Sequence, residues 1–96
     1  MNIQIIGDNF NVSPRSKKMI DDKVGNHLDK LLTHYDPEIR SALLHIEKDK
    51  LKNFVLKFDM NLPGKKRIFA ETSHKVFKSA LIDITQEVEK QIERYR

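Results

Sequence analysis

The sequence contains no cysteine and no tryptophan, and only three glycines and three prolines among 96 residues. Without cysteine there is no disulfide framework, no thiolate metal site and no sulfur nucleophile, which suits a reducing compartment. Gly7, Gly25 and Gly64 lie far apart, so there is no glycine-rich phosphate loop, and no serine sits in a nucleophile-elbow pattern. Long apolar runs are missing as well. The opening MNIQIIGDNF has neither the basic stretch nor the apolar run of a signal peptide, and nothing approaches the ~20 apolar residues of a membrane span. A soluble, unprocessed, cytoplasmic chain without a membrane partner is expected. At roughly 100 to 150 residues per typical domain, the chain forms a single domain, 1–96, with no room for a two-lobed nucleotide fold.

The titratable residues do not point to catalysis. His27, His34, His45 and His74 are scattered over the chain without ligand spacing, so no metal and no other cofactor is expected. Asp21 and Asp22 are the one adjacent acidic pair, but neighbours on a helix point in different directions and make no acid/base dyad. The expectation is no catalytic residue, no small-molecule substrate and no enzyme.

What the chain does have is apolar periodicity. Ile3, Gln4 and Ile5 alternate before the turn signal Gly7-Asp8-Asn9 and read as a short first strand. Ser13-Pro14 announces a helix, serine as the cap and proline at the first position. Ile20, Val24, Leu28, Leu31, Leu32 and Tyr35 supply its buried face, and Asp36-Pro37 ends it. From Ile39 the period becomes two, with Ala42, Leu44 and Ile46 on one side. Phe54, Leu56, Phe58, Met60 and Leu62 form the clearest amphipathic strand, Pro63-Gly64 turns the chain, and 67–71 returns as a further strand. Thr72 and Ser73 then read as caps of a last helix whose stripe is Phe77, Ala80, Leu81, Ile84, Val88, Ile92 and Tyr95. The fold class is α+β: a two-layer β-α-β-β-β-α arrangement, a four-stranded sheet with both helices on one face.

A net charge of +4, with 18 basic against 14 acidic residues, attracts a polyanion only where the cations cluster. Lys23 and Lys30 flank the first helical stripe. Lys90 and Arg94 form an i, i+4 pair near the end, joined by Arg96. Lys65, Lys66 and Arg67 follow one hairpin turn, and Lys48, Lys50 and Lys52 surround the other. Local explanations exist too: cations in a last helical turn oppose the macrodipole, Glu87 can pair with Lys90, and hairpin tips are commonly solvated. On the sheet face away from the helices, alternation gathers Leu43, Val55 and Phe69, an expected apolar patch for a protein contact or a weak homodimer.

Taken together, these elements resemble the hibernation-promoting and ribosome-associated inhibitor family of bacterial ribosome-binding proteins, over essentially the whole chain. The resemblance is carried by MNIQIIGDNFNVSP, by the helix end Lys30-Leu31-Leu32-Thr33-His34-Tyr35, by Asn61-Leu62-Pro63-Gly64, and by Ala70, Ser79-Ala80-Leu81-Ile82 and Lys90-Gln91-Ile92. The family's D-x-Y-x-A-I-D start of the last helix reads Val76-Phe77-Lys78-Ser79-Ala80-Leu81-Ile82 here, departing from the pattern in its acidic and aromatic residues. What the resemblance implies is a double-stranded-RNA-binding-like fold that sits in the mRNA and tRNA channel of the small ribosomal subunit, touches 16S rRNA and blocks translation under stress. It puts Lys90 and Gln91 on the family's basic-Gln pair, and Lys23 and Lys30 on basic positions of its first helix. It also implies the short form, because longer relatives continue into a dimerising C-terminal domain. A generic structured-RNA binder, or a dimeric protein-interaction module using the open sheet face, remains the alternative.

Overall fold

The computed structural model describes residues 1–95, apart from the side chain of Pro37. Arg96, grouped above with the terminal cations, lies outside the described residues. Four strands, β1 (Asn2–Asp8), β2 (Ser41–Lys48), β3 (Phe54–Leu62) and β4 (Lys66–His74), form one sheet in the order β1-β2-β3-β4. β1 lies parallel to β2, and the other pairings are antiparallel. The connection from β1 to β2 is therefore a helical crossover, whereas the later strands follow as a meander.

That crossover is one continuous helical rod in three pieces: α1 (Pro14–Ile20), a π turn (Asp21–Gly25) and α2 (Asn26–Leu31). As expected, Ser13 caps it, its hydroxyl accepting the Ser16 amide at 3.1 Å, with Pro14 at the first position. The π turn follows from the spacing of the stripe. Ile20, Val24, Leu28 and Leu32 are all fully buried and all four residues apart. On an ideal α-helix each such step overshoots one turn by about 40°, so three steps would rotate Leu32 about 120° away from Ile20. One extra residue in a turn removes about 100° of that drift. The bond from the Asn26 amide to the Asp21 carbonyl marks where it is inserted.

The rod ends earlier than the stripe suggests. Leu32 is the C-cap, with ψ of 24°, and the Tyr35 amide returns to the Leu32 carbonyl at 3.0 Å. The Arg40 guanidinium holds the Tyr35 carbonyl through Nε at 3.1 Å and Nη2 at 2.8 Å, fixing a turn rather than a further helical coil. Tyr35 still packs on the core, from that turn. Pro37–Ile39 is a single 3-10 turn, so β2 begins at Ser41 instead of Ile39.

β4 also differs from expectation. It continues to His74, because β3 extends back to Phe54 and the two pair in register. Thr72 and Ser73 are therefore strand residues and not caps. The last helix, α3 (Phe77–Arg94), starts after Val76 without a side-chain cap. The rod and α3 run parallel on one face of the sheet, with Lys23 opposite Thr85 and His27 opposite Glu89. Between the layers lie Leu44, Ile46, Leu56, Phe58 and Ile68 from the strands and Leu81, Ile84 and Val88 from α3, all without solvent exposure. At ~1.5–3 kcal/mol for each fully buried large side chain, this single core is the main favourable term in folding.

Candidate nucleic-acid interface

The topology sorts the cations toward the two ends of a molecule 38 Å long. β3–β4 turn and α3 end together at one end. There Lys66 Nζ lies 5.6 Å from the centroid of the Tyr95 ring, and Tyr95 Oη donates to the Arg67 carbonyl at 3.3 Å. Lys65 is exposed, in the left-handed region with φ of 61°, beside Gly64 with φ of 84°. Arg94 precedes Tyr95 and is exposed, as are Lys90, one turn earlier, and Lys30 in the last turn of the rod. Lys23 is exposed further back on the rod, where its carbonyl approaches Thr85 Oγ1 at 3.5 Å. Among the described residues the side chains of Lys23, Lys30, Lys65, Lys90 and Arg94 make no hydrogen bond or ion pair, so their charges are available to a ligand.

Two of the expected residues are occupied otherwise. Arg67 points to the open sheet face and binds Asp59 twice, Nη2 to Oδ2 at 2.7 Å and Nε to Oδ1 at 3.2 Å. This hydrogen-bonded pairing holds the Asp59 carboxyl below its usual range and raises Arg67. The guanidinium also lies 5.5 Å from the Phe69 ring. Its charge is spent within the sheet. Gln91, assigned to rRNA by the resemblance, has its carboxamide on the main chain of Phe69, accepting the amide at 3.0 Å and donating to the carbonyl at 2.6 Å. It secures the sheet edge.

The expected apolar patch is not contiguous. Leu43, Asp59 and Phe69 share one cross-strand row, which places a carboxylate between the two apolar side chains. Val55 pairs with Glu47 and Ser73, four residues before Asp59 in β3. Leu43 and Phe69 are exposed, and Val55 is half-buried.

The opposite end carries the lysines of the other hairpin turn. Phe10, Phe54 and Phe77 meet there with ring centroids 5.3 to 6.0 Å apart, joining the loop after β1, the start of β3 and the start of α3. Around this aromatic floor stand Lys48, Lys50 and Lys52 from the β2–β3 turn and Lys75 and Lys78 from the entry to α3, all exposed. The acidic residue of the turn is no counterweight at hydrogen-bond range. Asp49 accepts the amides of Leu51 and Asn53, each at 2.9 Å, and so shapes the loop that displays the lysines. The alternation Lys48, Lys50, Lys52 was the available signal. Only the fold brings Lys75 and Lys78 to it.

Asp83 of α3 is tied up in the same way. Asp83 accepts from His74 Nε2 at 2.9 Å and Thr72 Oγ1 at 2.8 Å, and these bonds hold its carboxyl below its usual range. Among the described residues no cluster of His, Asp and Glu could hold a metal ion. No described helix is long and apolar enough to cross a membrane.

A four-stranded mixed sheet with two parallel helices on one face, and cations displayed from its helices and turns, defines a small two-layer α+β domain. The chain belongs to the sigma 54 modulation protein / S30EA ribosomal protein family, whose model matches residues 3–96. This is the hibernation-factor family, and its members are non-enzymatic. The fold is shared with the N-terminal domain of Protein Y from Thermus thermophilus, at a TM-score of 0.82 and 23% identity over 100% of both chains. A ribosomal subunit interface protein from Coxiella burnetii is also similar, at a TM-score of 0.76 and 21% identity, covering 99% of this chain and 97% of the other. No curated protein matches the chain at a significant level.

Proposed function

We propose that this protein is a cytoplasmic translation inhibitor that binds 16S rRNA in the mRNA and tRNA channel of the small ribosomal subunit, as a hibernation factor acting under stress. The observation that carries the reading is the separation, onto two ends of a 38 Å domain, of cations that form no ion pair among the described residues. Lys30, Lys65, Lys66, Lys90 and Arg94 serve one end, Lys48, Lys50, Lys52, Lys75 and Lys78 the other, and Lys23 lies between. Cations so distributed suit phosphates on separate segments of a folded RNA better than one short duplex, and a groove walled by rRNA presents such segments. Family membership, and a structural relative named for the ribosomal subunit interface, support the same partner.

The mechanism needs no chemistry. Phosphate contacts supply most of the affinity and set the orientation, and occupation of the channel excludes mRNA and tRNA. The test is cosedimentation with purified small subunits over a range of salt, with and without saturating mRNA and initiator tRNA. Log affinity is expected to fall linearly with log salt, by ~0.7 to 0.9 per neutralised phosphate, and the two RNAs are expected to displace the protein. Replacing Lys90 and Arg94 together by Gln is expected to weaken binding tenfold or more, on the order of 1.5–3 kcal/mol for two charge-assisted contacts, with thermal stability unchanged. Salt-insensitive binding, or binding indifferent to mRNA and tRNA, would overturn the reading. A preference for free duplex RNA over intact subunits would replace it with a generic structured-RNA binder.

A further inference from the structure

The two edges of the sheet are finished differently. α3 closes the β4 edge, with Tyr95 bonded to the Arg67 carbonyl, Gln91 to both main-chain groups of Phe69, and Asp83 to the side chains of Thr72 and His74. β1 has no such cover. The Asn2 amide donates to the Arg40 carbonyl at 2.9 Å, and with Asn2 in register with Ser41 this turns the main-chain groups of Asn2, Gln4 and Ile6 toward β2. The amide and carbonyl groups of Ile3 and Ile5 consequently point away from the sheet. Among the described residues, nothing bonds to these four groups.

None of the usual devices blunts this edge. β1 contains no proline and no lysine, and its one charge is Asp8 at the far end. The terminal ammonium of Met1 is directed to Asp29 at 2.8 Å rather than along the edge. A groove of about 450 Å³ runs beside the strand, bounded by Met1 to Ile5 on one side and by Lys17 and Asp21 of the rod on the other.

We infer that a second copy of this chain adds its own β1 in this groove, antiparallel, about a two-fold axis at Gln4. In that register Ile3 of each copy faces Ile5 of the other and exchanges both main-chain bonds, so each of the four unpaired groups is used once. Gln4 faces Gln4, Asn2 faces Ile6, and no two like charges stand opposite. A strand whose unpaired main-chain groups are complementary to themselves, with no charge from Asn2 to Ile6, suits an isologous dimer. The contact is small, so the dimer is weak, and it uses neither the lysine clusters nor the open sheet face.

The test is sedimentation velocity of the whole chain from about 10 µM to about 1 mM, a range that spans weak association, together with amide hydrogen exchange by NMR. Wild type is expected to dimerise in the upper part of that range. Under dilute conditions the amides of Ile3 and Ile5 exchange fast, and they become about tenfold slower as the dimer forms, while Gln4 and Ile6 stay slow throughout. Gln4→Lys and Gln4→Glu each put like charges on the axis and are expected to weaken dimerisation about tenfold or more, and an equimolar mixture of the two restores a heterodimer. A wild type that stays monomeric, variants that associate as wild type does, or a mixture that stays monomeric would each overturn the inference. Protection of Ile3 and Ile5 only in the presence of ribosomes would overturn it too, and would assign the edge to a ribosomal strand.

Discussion

The carboxamide of Gln91 pairs with the main chain of Phe69 as a neighbouring strand would, one donor and one acceptor spanning 2.6 and 3.0 Å. β4 is an edge strand, and an unpaired edge invites pairing with other chains. Held there by α3, Gln91 contributes to the closure of the sheet. Gln91→Ala is expected to cost about 1–2 kcal/mol for the two lost bonds, lowering Tm by about 4–8 °C per kcal/mol. Small-subunit affinity should stay within about twofold, a change of ~0.4 kcal/mol. Thermal unfolding and cosedimentation of the same variant check this, and lost binding with an unchanged Tm would assign Gln91 to the ribosome instead.

Acid should loosen the attachment of α3 to β4. Asp83 accepts from His74 first and Thr72 second, which hold its carboxyl below the ordinary 3.8. A carboxylate depressed in the folded state stabilises fully above its unfolded pKa, and that contribution is lost as pH falls through the folded value. The stability gap between wild type and Asp83→Asn is therefore expected to be full at neutral pH and to close below pH ~4. Urea midpoints measured from pH 7 down to 2 test the sign, and a gap that widens in acid would contradict it.

Lys52 adopts φ of 62°, a region that costs an L-residue about 1 kcal/mol. Lys52→Gly removes that strain together with one cation of the lysine-rich turn. Stability is expected to rise by about 0.5–1 kcal/mol, read as a higher urea midpoint, while ribosome affinity falls. An increase in both would mean that Lys52 does not face phosphate.

At Gly7 a Cβ would stand 2.3 Å from the Phe10 carbonyl oxygen, a backbone atom that cannot swing aside as a side chain does. Gly7→Ala must shift the loop that seats Phe10 against Phe54 and Phe77. A loss of about 1–3 kcal/mol is expected, as for other overpacked sites. Thermal unfolding decides it, and an unchanged Tm would show that the loop yields freely.

Local pattern made much of this architecture legible. Strict alternation through 54–62, with Leu56, Phe58, Met60 and Leu62 buried, leaves β3 one way to face the core. Ser13-Pro14 marks a helix start because cap chemistry is local. The helix end was harder to place, since the turn at Leu32 depends on Arg40, which holds the Tyr35 carbonyl from beyond that turn. Thr72 and Ser73 carry cap chemistry but were drawn into β4 by pairing with β3, because a ladder gains a partner for every main-chain group.

The sequence by itself determined the element order, the side of each strand that is buried and the single core, because periodicity and residue chemistry act over a few residues. Tertiary structure alone decided which charged and polar side chains remain available. Arg67 is lost to Asp59 across one strand pair, and Gln91 to Phe69 across 22 residues of chain. Lys48, Lys50 and Lys52 are joined by Lys75 and Lys78 at an end that neither segment specifies. An ion pair or a shared surface depends on distance in space, and residues far apart in the chain acquire that distance only when the core closes.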